Sequence, residues 1–398
     1  MSKIDDMIKK LCPDGVEFVK LGDCLDYEQP TKYIVKCKDY IESGLPVLTA
    51  GQTFILGYTN ETDGIFSASQ ENPVIIFDDF TTSFHWVDFD FKIKSSAMKM
   101  LRPRADANIS FRFVYYAMKC IKYQTLEHSR QWISKYSQIE IPLPPLEIQN
   151  EIVRILDKFT QLEAELEAEL DCRKRQYEFY RDQLLSFDKF PPPERNNVVW
   201  KKLSEVASYA KTRINSMIIA PNSYVGVENL LKDKAGRMEH TKSPIGMVIE
   251  YMPNDILIGN IRPYLRKIWK ANCKGGTNGD VLCIRLKKEK MSRITIDYLY
   301  HVLASETFFK YDIKCSKGAK MPRGDKSLIM KFEVPIPPVE EQNRIVAILD
   351  RFEALTTSLQ HGLPAEIAAR RQQYGYYRDK LLDFKRKNVQ AECNKVCF

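Results

Sequence analysis

Two groups of side chains in this 398-residue sequence have the donors and acceptors that contact nucleic acid. The first half offers Gln52, Thr81, Thr82, His85, Lys94, Ser95, Ser96 and Arg130. The second offers Asn260, Arg262, Tyr264, Arg266, Lys267, Thr277, Asn278, Lys320, Arg323 and Lys326. Arginine bonds guanine edges through two N–H groups, asparagine and glutamine match adenine, and lysine chiefly holds phosphate. Any one of these alone is more often an ordinary surface or turn residue. Gly275-Gly276-Thr277-Asn278-Gly279 reads either as a flexible loop able to approach a backbone closely or as a hairpin turn.

Catalytic constellations are scarce. His85 and Asp88 are the nearest thing to an acid–base pair in the first half, and nothing close in sequence completes a triad, so a structural role is the better reading. His128, His240, His301 and His361 are isolated. The stretch Gly318 to Ser327 approaches a phosphate-binding loop, but Asp325 separates glycine from lysine and the glycine spacing is wrong. No Asn/Asp/Ser-Pro-Pro-Tyr/Phe tetrapeptide and no strand-following GxGxxG is present. None of the ten cysteines forms a CxxC pair, so zinc-site spacing is missing, no metal site is expected, and the thiols read as reduced. The chain reads as a binding and assembly protein, not an enzyme.

Charge supports a polyanionic partner. The net charge is +8, and residues 255–331 hold 17 Lys+Arg against 7 Asp+Glu. That segment is net +10 inside an otherwise near-neutral chain, as suits a phosphate-binding surface or a solvated lysine-rich face. With 44% hydrophobic and 28% charged residues the chain is globular in composition. The N-terminus carries acids instead of an apolar run, and no stretch approaches 18 apolar residues, which predicts a cytoplasmic protein without a membrane span.

The elements that must position these side chains are written twice. Residues 141–159, IPLPPLEIQNEIVRILDKF, match residues 334–352, VPIPPVEEQNRIVAILDRF, at an offset of 193. Residues 173–187, RKRQYEFYRDQLLSF, match 370–384, RRQQYGYYRDKLLDF, at an offset of 197. Arg130 and Arg323 share the first offset. A fainter match joins Phe18–Asp23 to Trp200–Glu205, and the intervening segments share little. Alternation of similar and dissimilar blocks predicts two readers of different things on one kind of mount.

The similar blocks are helices. Pro142, Pro144 and Pro145 forbid helix before Leu146 and suit its first turn. Apolar residues then recur at Ile148, Ile152, Ile155, Phe159, Leu162, Leu166, Leu170, Tyr177, Tyr180 and Leu184. This predicts an amphipathic helix from Leu146 to Leu185, about 60 Å long. Its expected partner is the second copy, through Ile345, Ile348, Phe352, Leu355, Leu359, Ile367, Tyr374, Tyr377 and Leu381. Ile152, Phe159, Leu166, Ile345, Phe352 and Leu359 are the expected pairing positions. Gly362 and Pro364 predict a kink or break there. Residues 163–170 read EAEL-EAEL, a tandem unit adding about 6 Å of helix per copy. The dissimilar blocks read as mixed α/β, with strands at Val74–Phe77, Ala97–Leu101, Ile256–Ile258 and Val281–Ile284. Helices are expected over Phe111–Tyr123 and Tyr298–Phe309.

The paired blocks resemble the central and C-terminal conserved regions of type I restriction-modification specificity subunits. NPVIIFDDFTTSFHWVDF and NDILIGNIRPYLRKIW also resemble that family's recognition domains. The resemblance covers residues 1–385. It implies α/β target-recognition domains at 1–141 and 191–334, helical spacers at 142–190 and 335–385, and a tail at 386–398. Each recognition domain would read one half of a split site in double-stranded DNA. The two spacers would form long antiparallel coiled-coil helices related by a pseudo-two-fold repeat, and the number of four-residue units would affect the gap. Two methyltransferase subunits and two restriction subunits would join the chain. S-adenosylmethionine, ATP and Mg2+ would be used by those subunits, with no cofactor on this chain. A free-standing sequence-specific DNA-binding protein is the alternative, and an enzyme active with Mg2+ or S-adenosylmethionine alone is a further one.

Overall fold

A computed structural model describes residues 2–51, 53–125, 129–187, 197–232, 236–238, 245–357 and 362–387. Gln52, His128, His240, Leu359, His361 and the 190/191 boundary lie outside the described residues. The chain divides into two units, residues 1–163 with 370–398, and residues 164–369.

In the first unit, Glu17–Lys20 pairs antiparallel with Glu140–Leu143, setting Phe18 opposite Pro142. A four-stranded sheet follows, in the order Leu25–Glu28, Met98–Pro103, Val74–Asp78, Phe84–Val87. A three-stranded sheet holds Leu45–Leu48 between Ile55–Thr59 and Lys92–Ile93. The second unit repeats the plan. Val199–Lys202 pairs with Glu333–Ile336, setting Trp200 opposite Pro335. Its first four-stranded sheet runs Ala207–Tyr209, Val281–Leu286, Ile256–Gly259, Ile268–Lys270. The second runs Arg213–Asn215, Met247–Tyr251, Gly275–Thr277, Tyr224–Val225. Val74–Phe77 and Ile256–Gly259 are fully buried central strands, as their unbroken apolar runs require.

Gly275–Thr277 is therefore an inner strand, neither a loop nor a hairpin turn. Glycine suits it because a Cβ on Gly275 would collide with the Ser223 carbonyl and the Tyr251 ring, and one on Gly276 with Val248 and Ile219. The expected helix over Tyr298–Phe309 is two helices, Ile296–Leu303 and Glu306–Cys315. Ser305 divides them: its hydroxyl accepts the Phe308 N–H as an N-cap, starting a new helix. The first-half counterpart spans Phe111–Cys120 behind the N-cap Ser110.

Leu146–Leu185 is one helix of 40 residues, its part up to Glu163 in the first unit and the rest in the second. In the first unit it runs antiparallel to the end of a C-terminal helix, Leu363–Leu381: Phe159 stacks on Tyr377 at 5.5 Å and Glu163 pairs with Arg371. In the second unit Tyr180 stacks on Phe352 at 5.7 Å, and Leu185, Ile345 and Leu349 share a core. The second helical copy is interrupted: one helix ends at Thr357 and the next begins at Leu363. Gly362 supplies the carbonyl that accepts the Ala365 and Glu366 N–H groups, and Pro364 falls in the first turn, where proline is tolerated.

One pair of buried glutamines ties each of these helices to the α/β part of its unit. Gln149 accepts the Ser110 N–H (2.8 Å) and donates to the Pro144 carbonyl (2.7 Å). Gln342, 193 residues on, accepts the Thr295 N–H (2.9 Å) and donates to the Pro337 carbonyl (2.8 Å). Each locks the proline turn to the N-cap of the helix packed beside it. Polar groups so deeply buried are kept because they are fully bonded.

Candidate nucleic-acid interface

In both units the residue just past the central strand organises the loops. In the first, the Asp79 N–H donates to the Ala97 carbonyl (2.8 Å), and the Asp79 carbonyl accepts the Gln131 N–H (2.8 Å). In the second, the Asn260 N–H donates to the Asp280 carbonyl (2.8 Å), and the Asn260 carbonyl accepts the Gly324 N–H (3.2 Å). Gln131 follows Arg130 and Gly324 follows Arg323, so the same backbone bonds fix the two arginines in equivalent places.

The side chains at this hinge differ. Asp79 is buried, faces Lys99 at 3.4 Å and accepts the Gln131 and Trp132 N–H groups. A buried carboxylate persists only when paired and bonded in this way. Asp79 thus gathers the turn bearing Thr81 and Thr82, the loop bearing Ser95 and Ser96, and the segment bearing Arg130. In that turn Asp78 accepts the Phe80 and Thr81 N–H groups, and Thr82 is left-handed at φ 58°. Lys94, Ser96 and Arg130 are exposed. His85 bonds the Gly51 carbonyl at 3.0 Å and stacks on Phe54, and burial lowers its pKa. It is a strut for the neighbouring loop.

In the second unit three oxygens at the hinge have no hydrogen-bond partner among the described residues. Asn260 Oδ1 and both Asp312 carboxylate oxygens are buried without a hydrogen bond, and both residues crowd Gly324. Burial raises Asp312 to about 7. Above this hinge, Lys317 and Arg323 exchange backbone bonds of 2.9 Å, closing the loop that presents Lys320 and Met321. The Arg262 N–H donates to the Pro322 carbonyl (2.7 Å). Arg262 and Arg266 are left-handed, at φ 54° and 47°, an uncommon conformation that clusters at binding sites. Arg323 reaches Asp280 at 3.2 Å, and Lys326 donates to the Gly279 carbonyl at 3.2 Å. Asn278 accepts the Asp280 N–H at 3.0 Å. Arg262 and Lys320 are exposed and make no ion pair among the described residues.

The structure thus brings Asn260, Arg262, Asn278, Lys320, Arg323 and Lys326 together. Thr277 and Lys267 turn inward. Thr277 is fully buried with its hydroxyl on the Val225 carbonyl, and Lys267 donates to the Val227 carbonyl, with burial lowering its pKa. Arg266 is held by Glu306 and Tyr264 is exposed. Of the helix positions, Ile152 and Ile345 are buried, Phe159 and Phe352 stack as above, and Leu166 is half-buried. Sequence reasoning missed Asp79 and Asp312; only the strand-end position of Asp79 hinted at either.

One group among the described residues could hold a metal ion: His301, Asp350 and Glu353, with ligand atoms within 4.8 Å of one another. Their counterparts in the first unit are Tyr116, Asp157 and Thr160, where the tyrosine hydroxyl bonds both partners and Arg112 pairs with Asp157. His301 bonds Asp350 at 2.8 Å, so the trio performs the same stapling of a reader helix to a spacer helix.

The two units are copies of one frame that carry equivalent arginines on different loops. The chain belongs to the type I restriction modification DNA specificity domain family, whose model matches residues 13–171 and 254–369. It is 42% identical over 412 residues to the type I restriction enzyme EcoR124I/EcoR124II specificity subunit of Escherichia coli, covering 96% of this chain and 98% of that one. Its fold is that of a crystal structure of a type I restriction-modification S subunit from M. genitalium (TM-score 0.55, 15% identity, covering 92% of this chain and 96% of that one). A chain from a structural study of complex assembly and conformational transition in the type I R-M system also matches (TM-score 0.51, 16% identity, covering 93% and 98%). No helix among the described residues is long and apolar enough to cross a membrane.

Proposed function

We propose that each unit reads one half of a split DNA sequence, and that the helical segments set the unread gap and dock methyltransferase subunits. One observation carries this reading: Asp79 and Asn260 make the same two backbone bonds in the two units, yet the loops they hold differ in every candidate contact except Arg130 and Arg323. A shared frame with divergent loops is what two half-sites of different sequence demand. The recognition domains are assigned to residues 1–141 and 191–334, and the spacers to 142–190 and 335–385.

Arg130 and Arg323 are the base-reading candidates, with Asn260, Arg262 and Asn278 beside Arg323. Lys94, Lys320 and Lys326 suit phosphate, while Thr81, Thr82, Ser95 and Ser96 shape the first reading surface. The chain itself performs no chemistry. S-adenosylmethionine, ATP and Mg2+ belong to two methyltransferase and two restriction subunits that assemble on it in the cytoplasm. The similarity to type I restriction enzyme specificity subunits supports this division of labour.

The test is to co-express the chain with its methyltransferase and map N6-methyladenine across the host genome. A motif of two short halves around a fixed gap is expected. One continuous site, or no methylation from an intact complex, would overturn the reading.

A further inference from the structure

The second unit carries an apolar prominence that no packing among the described residues explains. Strand Met247–Tyr251 pairs with the edge strand Arg213–Asn215, setting Asn215 opposite Met247. Beyond that pair the Ser216 N–H donates to the Gly246 carbonyl (2.9 Å), and the Gly246 N–H returns to the Ser216 hydroxyl (3.2 Å). At this sheet end Met217, Ile218, Ile245 and Met247 are 82%, 75%, 97% and 57% exposed. Scattered exposed apolar residues are ordinary, but four at one end of a sheet are not. Their base is fixed: Ser216 is buried, and Ile219 and Val248 occupy the space over Gly276.

The neighbouring strand shows what faces this end. The ladder ends with Thr277 opposite Ile249, so Asn278 and Gly279 leave the sheet at the end from which Val248 and Met247 enter it. Gly279 receives Lys326 and Asp280 holds Arg323, which brings the cationic loop to that same end of the sheet. Arg213 on the edge strand and Lys211 just before it are exposed and make no ion pair among the described residues. A partner suited to this end of the sheet therefore offers both negative charge and apolar surface. Duplex DNA does so, with phosphates lining grooves whose floors hold thymine methyl groups and stackable base faces.

We propose that Met217, Ile218, Ile245 and Met247 form an apolar finger that enters a DNA groove beside the Arg323 loop and packs on base surface there. This rests on the DNA-reading function proposed above and adds a specificity element without charge. Methionine and isoleucine are among the side chains that pack on thymine methyls or wedge into base steps.

The experiment uses the assembled complex with its methyltransferase. Binding is measured by fluorescence anisotropy to the mapped site and to an unrelated duplex, across a salt series. The variant Met217→Ser, Ile218→Ser, Met247→Ser changes only exposed positions, so folding is retained and confirmed by circular dichroism. It is expected to bind the mapped site about tenfold more weakly, from lost apolar contact. Non-specific affinity and the salt slope stay unchanged, because no charge is removed. Deoxyuridine for thymine in the half-site reproduces the loss if methyl groups are the contact, and 2-aminopurine fluorescence rises on binding if a base step is opened. An unchanged ratio of specific to non-specific affinity overturns the proposal. So does loss of the methyltransferase from the variant on sizing, which would make the finger a protein-docking element. A wild-type complex with no preference for any sequence overturns the DNA-reading function, and the finger with it.

Discussion

Asp312 should cost the second unit stability at neutral pH, and replacing it should return that stability. The residue is fully buried, neither oxygen is bonded, and the unpartnered Asn260 Oδ1 crowds the same glycine. Burial lifts the carboxyl from its ordinary 3.8 to about 7. A folded-state pKa above the unfolded value means that the folded form holds the proton more tightly. The contribution is fully present below about pH 4 and is lost as pH rises through about 7. At roughly 1.4 kcal/mol per unit, the loss between about pH 5 and about pH 8 is on the order of 2–3 kcal/mol. Asp312→Asn keeps the volume, cannot ionise and offers an amide donor to Asn260. Hydrogen exchange resolved by peptide reads the second unit separately from the first. In the wild type, protection of the Ile256–Gly259 and Val281–Leu286 strands should fall roughly one to two orders of magnitude more across that pH range than in Asp312→Asn. Identical pH profiles, or a variant less stable at high pH, would refute the argument that a suppressed charge sits beneath the Arg323 loop.

Other outcomes follow from the duplicated frame. Gln149→Ala and Gln342→Ala each strand a buried N–H and carbonyl and should cost about 2–3 kcal/mol in urea unfolding, each in its own unit. Arg323→Ala should relax one half of the methylated motif and Arg130→Ala the other, read by genome-wide N6-methyladenine mapping; uniform weakening at all sequences would make them phosphate contacts. Deleting one EAEL unit from residues 163–170 should shorten the unread gap by one to two base pairs, since about 6 Å of helix spans that much duplex, with both half-sites retained. A changed half-site would contradict the spacer role.

The sequence alone determined the repeat, the long helix and its proline-defined start, the break at Gly362–Pro364 and the buried central strands. These depend on local rules: proline geometry, apolar periodicity, and unbroken apolar runs that must be covered on both faces. It also placed Arg130 and Arg323 at equivalent positions. Tertiary structure decided the rest. Gly275–Thr277 looked like a loop because glycine marks both turns and crowded strands, and only the Tyr251 ring and the Ser223 carbonyl show which applies. Ser305 ended a helix that periodicity carried straight through it. Thr277 and Lys267 turned inward because their hydrogen bonds go to Val225 and Val227, some 50 and 40 residues away in the chain. Asp79, which gathers three loops of the first unit, looks in sequence like one more acid beside Asp78. Such roles rest on contacts between residues far apart in sequence, which no periodicity or spacing encodes.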